Sequence, residues 1–178
     1  MYVDQILYYA RSENPEKDYF IKELDLYDIV HKVLLKYRVY ILDEKISVQV
    51  NNLDKKIYTD EKWLIFIVSQ VVQNSIKYMN KKEKKIEIDA SENKDNVILS
   101  IKDNGCGIKD SDLVKVFEKG FTGSDRTKSK STGMGLYLSK KICNKLGLKI
   151  EINSICKKGT EIKIFFPKSY FNKINLNC

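Results

Sequence analysis

The chain is poor in the residues that mark several protein classes. It has 178 residues but only 2 prolines, 8 glycines, 4 cysteines and 1 histidine. This composition excludes collagen-like and low-complexity disordered chains. No apolar run approaches the roughly 18 residues of a membrane-spanning helix, and the first residues lack the basic start and small-residue cleavage site of a signal peptide. We therefore expect a globular chain of one domain, or of one domain with an appendage.

The four cysteines carry little functional signal in the sequence. Cys106, Cys143, Cys156 and Cys178 do not follow a metal-ligand spacing. They are too few for a disulfide scaffold in a chain of this length, so a reducing cytosol is the expected compartment. Cys106 lies between two glycines with no base near it in sequence, and we interpret it as a small filler and not as a nucleophile.

The formal net charge is +8, from 32 basic and 24 acidic residues. Two segments carry much of the excess, 77–85 (KYMNKKEKK) and 119–130 (KGFTGSDRTKSK). We interpret this excess of positive charge as a lysine-rich solvated surface. The alternatives are a surface that binds an anionic membrane, a nucleic acid or a phosphorylated ligand. Neither segment interleaves aromatic residues with base-reading side chains as single-strand binders do, so a nucleic-acid partner is not predicted.

Apolar periodicity predicts a chain in which short strands alternate with helices. Strand-like alternation occurs in seven segments: 20–26, 46–50, 55–59, 85–92, 96–105, 148–154 and 159–167. Helical periodicity occurs at 27–42, 61–79 and 134–146, after a short helix in the first 12 residues. The strands at 85–92 and 96–105 are expected to form an antiparallel hairpin. Asp60 is predicted to cap the helix at 61–79, and Gly147 to end the helix at 134–146.

The helix at 61–79 is predicted to have two different faces. The apolar face carries Leu64, Val68, Val72 and Met79, with Ser75 among them. The opposite arc carries Gln70, Asn74, Lys77 and Tyr78, with Trp63 and Ile67 further back. We therefore expect one face to dock on a sheet while a short polar patch faces elsewhere.

Two glycine turns flank an irregular stretch, 104–133, which is expected to be a functional lid or disordered. The first turn, DNGCGI (103–108), follows a strand, and the second, STGMGL (131–136), opens a helix. Glycine permits close backbone approach, and the start of a helix attracts an anion such as phosphate. Each glycine pair alone fits an ordinary turn equally well. Their order after the helix that contains Asn74 strengthens the phosphate interpretation.

The order of these segments resembles the ATP-binding domain shared by histidine kinases, gyrase-type ATPases, the large heat-shock chaperones and mismatch-repair ATPases. The resemblance covers residues 20–167. It rests on five boxes: QVVQNSIKY (70–78), DNGCGI (103–108), VFEKGF (116–121), STGMGLYL (131–138) and Gly159-Thr160. It implies an α+β, two-layer α/β sandwich of the Bergerat type, with a mixed, mostly antiparallel sheet of about five strands and helices on one face. The nucleotide would lie between the Asn74 helix and the lid.

Within that group the chain is most similar to histidine kinases. The segments NSIKY, VFEKGFTG and STGMGLYLSKKICNKLG resemble small intramembrane-sensing kinases of Gram-positive bacteria that respond to peptides such as bacitracin. The opening DQILYYARSENPEKDY resembles the end of a dimerisation helix and its linker. The implied division is therefore 1–19, end of the dimerisation helix and linker; 20–168, catalytic ATP-binding domain; and 169–178, polar tail.

The resemblance also implies partners and a location. The implied reaction transfers the γ-phosphate of ATP, with Mg²⁺, to a histidine on a dimerisation domain outside this fragment, and then to a response regulator. The full-length protein is implied to be a membrane-bound homodimer, with this domain in the cytoplasm and a peptide-transporter complex as a further partner.

The matching positions carry implied roles in ATP binding. Asn74 is implied as an oxygen ligand of Mg²⁺, Lys77 as a positive charge near the phosphates, and Tyr78 as a wall against the adenine. Asp103 is implied to accept a hydrogen bond from the adenine amino group, because a buried carboxylate needs a donor partner. Thr160 is implied to join the adenine-side hydrogen bonds through water.

The glycine turns and the phenylalanine box supply the other implied ATP-binding residues. They are Gly105, Gly107, Ile108, Gly120, Phe121, Thr132, Gly133, Met134, Gly135 and Leu136. The glycines of the first turn make room for the purine. The second turn offers backbone near the phosphates, and its threonine adds a hydroxyl.

Taken singly, these residues also have structural explanations. Asn74 fits a solvated helix residue, Asp103 a turn former, and Tyr78 an amphipathic edge residue. Phe117 and Phe121 fit hydrophobic anchors of the lid better than ligand contacts. Only their combination favours a nucleotide site.

Two further residues attract attention and are assigned no site role. His31, the single histidine, lies inside the helix at 27–42 without the acidic or polar neighbour of an acceptor pattern, and we interpret it as a surface or edge residue. Arg126 is interpreted as a solvated lid charge, with a phosphate contact as the alternative.

Gln70 is the informative departure from the ATP-hydrolysing relatives, which have a water-activating Glu at this place. A glutamine cannot act as a general base at neutral pH, so transfer to another nucleophile is favoured over hydrolysis. Three alternatives stay open: an ATP-hydrolysing module of the same fold, a serine kinase of the anti-sigma-factor type, and a non-catalytic nucleotide-binding module.

Overall fold

The computed structural model describes residues 19–123 and 132–169 of the chain. The strands are β1 (Ile21–Asp25), β2 (Ile46–Asn51), β3 (Lys56–Asp60), β4 (Lys84–Glu92), β5 (Asn96–Asp103), β6 (Lys149–Ile155) and β7 (Gly159–Pro167). The helices are α1 (Leu26–Asp43), α2 (Glu61–Lys77), the one-turn α3 (Asp110–Leu113) and α4 (Gly135–Lys145). Every strand and helix predicted within the described ranges is present. The helix predicted in the first 12 residues, Arg126 and most of the polar tail lie outside them.

The main sheet has five strands in the order β2-β4-β5-β7-β6. β2 pairs with β4 in parallel, whereas the other three pairings are antiparallel. The β4–β5 pairing confirms the predicted hairpin. The sheet is therefore mixed and mostly antiparallel, as predicted.

One face of the sheet is covered by α1, α2 and α4. The core strands alternate buried with partly exposed side chains along their length, as a sheet with one covered face requires. The buried set on the three central strands is Ile86, Ile88, Ala90, Val97, Leu99, Ile101, Ile162, Ile164 and Phe166. The three long helices complete a single hydrophobic core with these strands.

A second, two-stranded sheet was not anticipated from the sequence. β1 pairs antiparallel with β3, which places Ile21 opposite Asp60. The carboxylate of Asp60 accepts from the backbone N–H of Trp63 at 3.0 Å, which confirms the predicted cap, and from the N–H of Phe20 at 2.8 Å. The same side chain therefore begins α2 and ties down the chain that enters β1.

The two-face prediction for α2 was wrong in one respect. The predicted apolar face is buried except for Met79, which is partly buried and lies past the end of the helix. Trp63 and Ile67, expected further back on the polar side, are 3% and 0% exposed. Gln70 is also buried, at 8% exposure. The reason is that α1 packs on one flank of α2 and α4 on the other, so the helix contacts protein on several sides. The polar patch is confined to the C-terminal end of α2.

α4 ends as predicted. Gly147 has a φ of 66°, in the left-handed region that glycine adopts without a penalty. Its N–H donates to the carbonyl of Asn144 at 3.3 Å, and the N–H of Leu148 donates to the carbonyl of Cys143 at 2.8 Å. This pair of bonds is a Schellman motif, which satisfies carbonyls at the helix end and directs the chain into β6.

None of the helices in the described ranges is both long and apolar enough to cross a bilayer.

The hydroxyl of Thr59 on β3 generates a stability prediction. Thr59 is 0% exposed, and its Oγ1 has no hydrogen-bond partner among the described residues. An unpartnered buried hydroxyl costs about 1–2 kcal/mol. Thr59→Val, which keeps the shape and removes the hydroxyl, should raise the free energy of unfolding by about 1 kcal/mol, measured by urea denaturation.

Thr59→Ser is the matched control, because it keeps the hydroxyl and removes the methyl group. It should lower the free energy of unfolding by about 1 kcal/mol, the cost of a deleted buried methyl group. A Thr59→Val variant less stable than the wild type would show that the hydroxyl is hydrogen-bonded in solution.

Candidate functional site

The candidate site is organised around Asp103, the last residue of β5. Antiparallel pairing places Thr160 of β7 directly opposite it. Oδ1 of Asp103 accepts from the backbone N–H of Gly105 at 2.9 Å and from that of Thr160 at 3.3 Å. Oδ2 accepts from the hydroxyl of Ser75 in α2 at 3.0 Å. The carboxylate therefore joins the end of a strand, the first glycine turn, the last hairpin and α2.

Two opposing effects act on the Asp103 carboxyl. Its removal from water raises its pKa above the ordinary value of 3.8, while the donors from Gly105, Ser75 and Thr160 and the charge of Lys81 act to lower the pKa. The burial effect is the larger, so the carboxyl holds its proton more tightly than a solvated aspartate does. A carboxylate offers about four acceptor positions. Three of them are occupied by the described donors, which leaves room for a ligand donor.

The first glycine turn lies tightly against both neighbouring segments. A Cβ at Gly105 would come within 2.6 Å of the carbonyl oxygen of Tyr78. Gly107 has a φ of 64°, and a Cβ there would collide with the backbone carbonyl of Ile155. The N–H of Cys106 donates to the carbonyl of Tyr78 at 3.0 Å. Only glycines allow this close approach between the turn, the end of α2 and the β6–β7 turn.

The predicted polar residues of α2 become more exposed to solvent toward its C-terminal end. Gln70 is buried, Asn74 is half-buried, and Lys77 and Tyr78 are exposed. The ammonium of Lys77 lies 5.3 Å from the ring centroid of Tyr78, within the range of a cation–π contact. Asn74, Lys77 and Tyr78 thus present an amide, a positive charge and an aromatic ring along one edge of the site.

The second glycine turn contacts the phenylalanine box and α2. The N–H of Gly120 donates to the carbonyl of Gly133 at 3.1 Å, and a Cβ at Gly133 would come within 2.6 Å of the Gly120 carbonyl oxygen. A Cβ at Gly135, the first residue of α4, would collide with Oε1 of Gln70. These contacts bring the start of α4 against the polar side of α2.

The start of α4 has the features of an anion site. No side chain among the described residues caps this helix, whose preceding residue, Met134, donates its N–H to the hydroxyl of Thr132 at 3.4 Å. The backbone N–H groups of a helix's first turn carry a partial positive charge. Thr132 is exposed, while Met134 and Leu136 are half-buried and pack against the core.

The predicted residues therefore fall into one connected surface. From Thr160 it runs through Asp103 and the first glycine turn to Tyr78, along α2 to Gln70, and then to Gly135 and Gly120. Residues 124–131, which include the end of the segment between the two glycine turns and the first residue of the second turn, lie outside the described residues. Ile108 and Phe121 lie half-buried at its two ends.

Phe117 and His31 behave as side chains with structural roles. Phe117 is partly buried against the core, and the ammonium of Lys140 lies 5.7 Å from its ring centroid. His31 is exposed on α1 and stacks on Tyr27, with ring centroids 5.6 Å apart. Both observations agree with the interpretations made from the sequence.

Three site residues were missed by the sequence analysis. Ser75 was assigned only to the apolar face of its helix, yet its hydroxyl bonds Asp103. Asn104 braces the first glycine turn: its side-chain oxygen accepts from the N–H of Lys85 at 2.9 Å. Ser154 accepts from the N–H of Ile108 at 2.9 Å. A polar residue at a buried helical position was a usable signal for Ser75, whereas the other two contacts depend on tertiary structure.

An open groove of about 420 Å³ lies apart from this surface. Asp25, Tyr27, Val50 and the turn at 51–54 line it. It contains none of the residues predicted to bind a ligand, and no motif of the sequence points to it.

Residues 59–170 match the family described as "Histidine kinase-, DNA gyrase B-, and HSP90-like ATPase". Among curated proteins, the chain is 33% identical over 166 residues to Sensor histidine kinase YxdK of Bacillus subtilis (strain 168), covering 92% of this chain and 51% of that protein. It is 34% identical over 167 residues to Sensor protein kinase GraS of Staphylococcus aureus (strain JH1), covering 93% of this chain and 48% of that protein. The chain spans about half the length of the curated relatives it matches.

Solved structures share the fold. The catalytic domain of histidine kinase ThkA superposes with a TM-score of 0.72 at 24% identity, over 84% of this chain and 98% of that one. The Acinetobacter baumannii histidine kinase AdeS superposes with a TM-score of 0.74 at 22% identity, over 93% of this chain and 76% of that one. The predicted α+β sandwich is thereby confirmed.

The raised pKa of Asp103 gives a prediction for stability against pH. The folded protein binds this proton more tightly than the unfolded chain does. Below the ordinary pKa of 3.8 the carboxyl is protonated in both states and does not lower the free energy of unfolding. The free energy of unfolding falls as the pH rises from 3.8 through the raised pKa of Asp103 in the folded protein. Asp103→Asn does not titrate, so the variant's free energy of unfolding minus that of the wild type should grow from pH 4 to pH 7.

Urea denaturation of both proteins at pH 4, 5, 6 and 7 measures this difference, in which the other titrating groups cancel. A difference that moves in favour of the wild type as the pH rises would show that the three donors outweigh burial.

Proposed function

This chain belongs to the family of histidine kinase-, DNA gyrase B- and HSP90-like ATPases, and on that premise we propose that it is the catalytic part of a sensor histidine kinase. The family is one of ATPases, so ATP is the nucleotide of the site. The names of the curated relatives, a sensor histidine kinase and a sensor protein kinase, support the kinase branch.

The observation that carries the proposal is the arrangement around Asp103. Its carboxylate is partly buried, bonded on one side by backbone N–H groups and on the other by Ser75, and it retains an acceptor position. A primary amino group on a flat heterocycle satisfies that position. We assign Asp103 to the adenine amino group, Gly105 and Gly107 to the space for the ring, and Tyr78 to its edge. Thr160, opposite Asp103, is assigned to the same side of the ring.

The phosphates are assigned to the other end of the surface. The start of α4, with Gly133, Gly135 and the hydroxyl of Thr132, offers backbone N–H groups to an anion. Lys77 supplies a positive charge at the end of α2. The two ends of a nucleotide thus meet chemistry of opposite kinds, an acceptor for the base and donors for the phosphates.

Asn74 is assigned as the side chain that would hold Mg²⁺. Magnesium is bound through a few protein oxygens while waters and substrate phosphates complete its shell, and the half-buried Asn74 amide offers one such oxygen. The described residues hold no group of three or more His, Cys, Asp or Glu side chains that could bind a metal without phosphate. Bound there, the ion would neutralise phosphate charge.

The reaction we propose is transfer of the γ-phosphate to a histidine nitrogen on a dimerisation domain. This chain binds and orients ATP and balances its charge, and no covalent intermediate on the chain is required. Gln70 is the polar neighbour of Gly135 at the phosphate end. Because an amide does not accept a proton at neutral pH, water is not activated there, and hydrolysis is slow relative to transfer.

The remaining assignments follow from the resemblance to peptide-responsive, intramembrane-sensing kinases. We propose residues 1–19 as the end of a dimerisation helix and its linker, 20–168 as the catalytic domain and 169–178 as a tail. The full-length protein is proposed to be a membrane-bound homodimer with its catalytic domain in the cytoplasm. A response regulator would receive the phosphoryl group, and a peptide-transporter complex is the proposed sensory partner.

Nucleotide choice tests the assignment of Asp103. In Asp103→Asn the side-chain oxygen remains with the N–H groups of Gly105 and Thr160, so the amide nitrogen occupies the ligand side. That nitrogen repels the amino group of ATP but donates to the carbonyl of ITP. The variant should bind ATP at least tenfold more weakly, since a hydrogen bond to a charged group contributes about 1.5–3 kcal/mol. The preference for ATP over ITP should shrink or invert, as measured by calorimetric titration.

Ser75→Ala is the matched control for this experiment. It removes one donor to Asp103 but leaves the carboxylate as an acceptor, so the preference for ATP over ITP should persist. If Asp103→Asn retains the wild-type preference, Asp103 does not read the base.

The kinase assignment is tested by adding this chain, ATP and Mg²⁺ to a separately made dimerisation domain that carries the acceptor histidine. Acid-labile phosphohistidine should form on that domain. Asn74→Ala should reduce its formation at least tenfold, because it removes the side-chain oxygen proposed to hold Mg²⁺. His31→Gln, a change at an exposed residue of α1, should leave it unaltered.

Rapid ATP hydrolysis by this chain without the acceptor would favour the hydrolase alternative. Phosphoserine on an added protein would favour the serine-kinase alternative, and tight ATP binding with no transfer to any acceptor would favour a non-catalytic module.

A further inference from the structure

Cys106 and Cys156 lie far apart in the sequence but belong to two turns that contact each other in the fold. The first glycine turn and the β6–β7 turn run antiparallel: the N–H of Ile108 donates to the hydroxyl of Ser154, and a Cβ at Gly107 would collide with the carbonyl of Ile155. Cys106 and Cys156 are the chain neighbours of Gly107 and Ile155 on these two contacting turns.

Backbone contacts limit the distance between the Cα atoms of Cys106 and Cys156. The N–H of Lys157 donates to the carbonyl of Cys106 at 2.6 Å. With standard bond lengths, this single hydrogen bond keeps the Cα atoms of Cys106 and Cys156 within about 7.4 Å of each other even if fully stretched. A Cβ at Gly107 would also lie 3.1 Å from the Cα of Cys156. Disulfides join Cα atoms about 4.4–6.8 Å apart, a range that lies within this limit.

Both thiols are open to reagents in solution. Cys156 is exposed and Cys106 is partly exposed, whereas Cys143 is buried in the core. Burial raises the pKa of the Cys143 thiol to about 12, with a smaller opposing effect from Lys140. Cys143 is therefore an internal control, a thiol of the same protein that oxidants do not reach.

We propose that Cys106 and Cys156 form a reversible disulfide, which makes the first glycine turn an oxidative modification site. Each thiol loses one proton and one electron as the sulfur–sulfur bond forms. A two-electron oxidant such as a hydroperoxide takes up both electrons and both protons and is reduced to an alcohol and water, or to two waters for hydrogen peroxide. A small thiol restores the pair by exchange. In a reducing compartment, disulfides of this kind are transient and redox-sensing.

The bond would act on the residue at the centre of the candidate site. Gly105, adjacent to Cys106, and Thr160, four residues after Cys156, both donate to Asp103. Linking their segments holds these donors in place before a nucleotide arrives, which lowers the ordering cost of binding. This consequence rests on the proposed function, whereas the disulfide itself does not.

The test uses the full chain with Cys178→Ser, so that the fourth cysteine, outside the described residues, does not compete. Protein is treated with hydrogen peroxide, alkylated and digested. A peptide linking Cys106 to Cys156 within one molecule is expected, with Cys143 still reduced. Because the bond closes a loop of about 50 residues, the Tm should rise by about 5–10 °C and return on addition of dithiothreitol.

Cys156→Ser in the same background is the matched control. It should show neither the linked peptide nor the Tm rise, while its reduced fold and Tm stay unchanged. Failure of the oxidised parent to form the Cys106–Cys156 linkage, or linkage only between molecules, would overturn the proposal. So would an unchanged Tm in a protein shown to carry the bond, because the backbone would then have had to distort.

ATP affinity, measured on the oxidised and reduced forms, tests the coupling to Asp103. Binding about threefold tighter or more in the oxidised form is expected. Equal affinities would remove the coupling and leave the disulfide standing, whereas absence of ATP binding in both forms would contradict the proposed function and not the modification site.

Discussion

The hydrogen bonding of one carboxylate, that of Asp103, sets the geometry of the whole candidate site. A partly buried carboxylate is stable only if donors surround it, and its donors come from α2, the first glycine turn and β7. Each donor links Asp103 to a different element: Ser75 to α2, Gly105 to the first glycine turn, and Thr160 to the start of β7 beside β5. The site is therefore assembled by the same contacts that connect the helix layer to the sheet.

Local pattern was sufficient for most elements of the fold, because the signals that define them are short-range. Alternation gave the strands of the main sheet, Asp60 gave the start of α2, and Gly147 gave the end of α4. The β1–β3 sheet was missed because it pairs segments about 35 residues apart, and neither segment carries a signal for the other. The burial of Gln70 and Ile67 was missed for a related reason, since periodicity within one helix does not reveal that neighbours pack on two of its flanks.

The site shows the same division between local and tertiary information. The glycine boxes and the Asn74 helix can be located in the sequence, and the resemblance orders them along the chain. The contacts between boxes are invisible there: Gly133 against Gly120, Gly135 against Gln70, and Gly107 against Ile155. In each contact, a side chain in place of the glycine would collide with a residue from another segment of the chain. Cys106 illustrates the point, because it has no reactive neighbour in sequence, whereas in the fold its turn contacts the turn that carries Cys156.

At the contact between Gln70 and Gly135, the size of the side chain and its ability to accept a proton have separate consequences for the proposed reaction. Glutamate and glutamine have nearly the same size, so either side chain can fill the space beside the first turn of α4, and packing alone does not select between them. They differ in that glutamate can accept a proton and an ionised carboxylate repels phosphate, whereas the amide does neither. An amide at this position therefore preserves the packing of α2 on α4 while withholding the base that hydrolysis needs. On this view, the same scaffold serves phosphoryl transfer or hydrolysis according to the proton affinity of a single side chain.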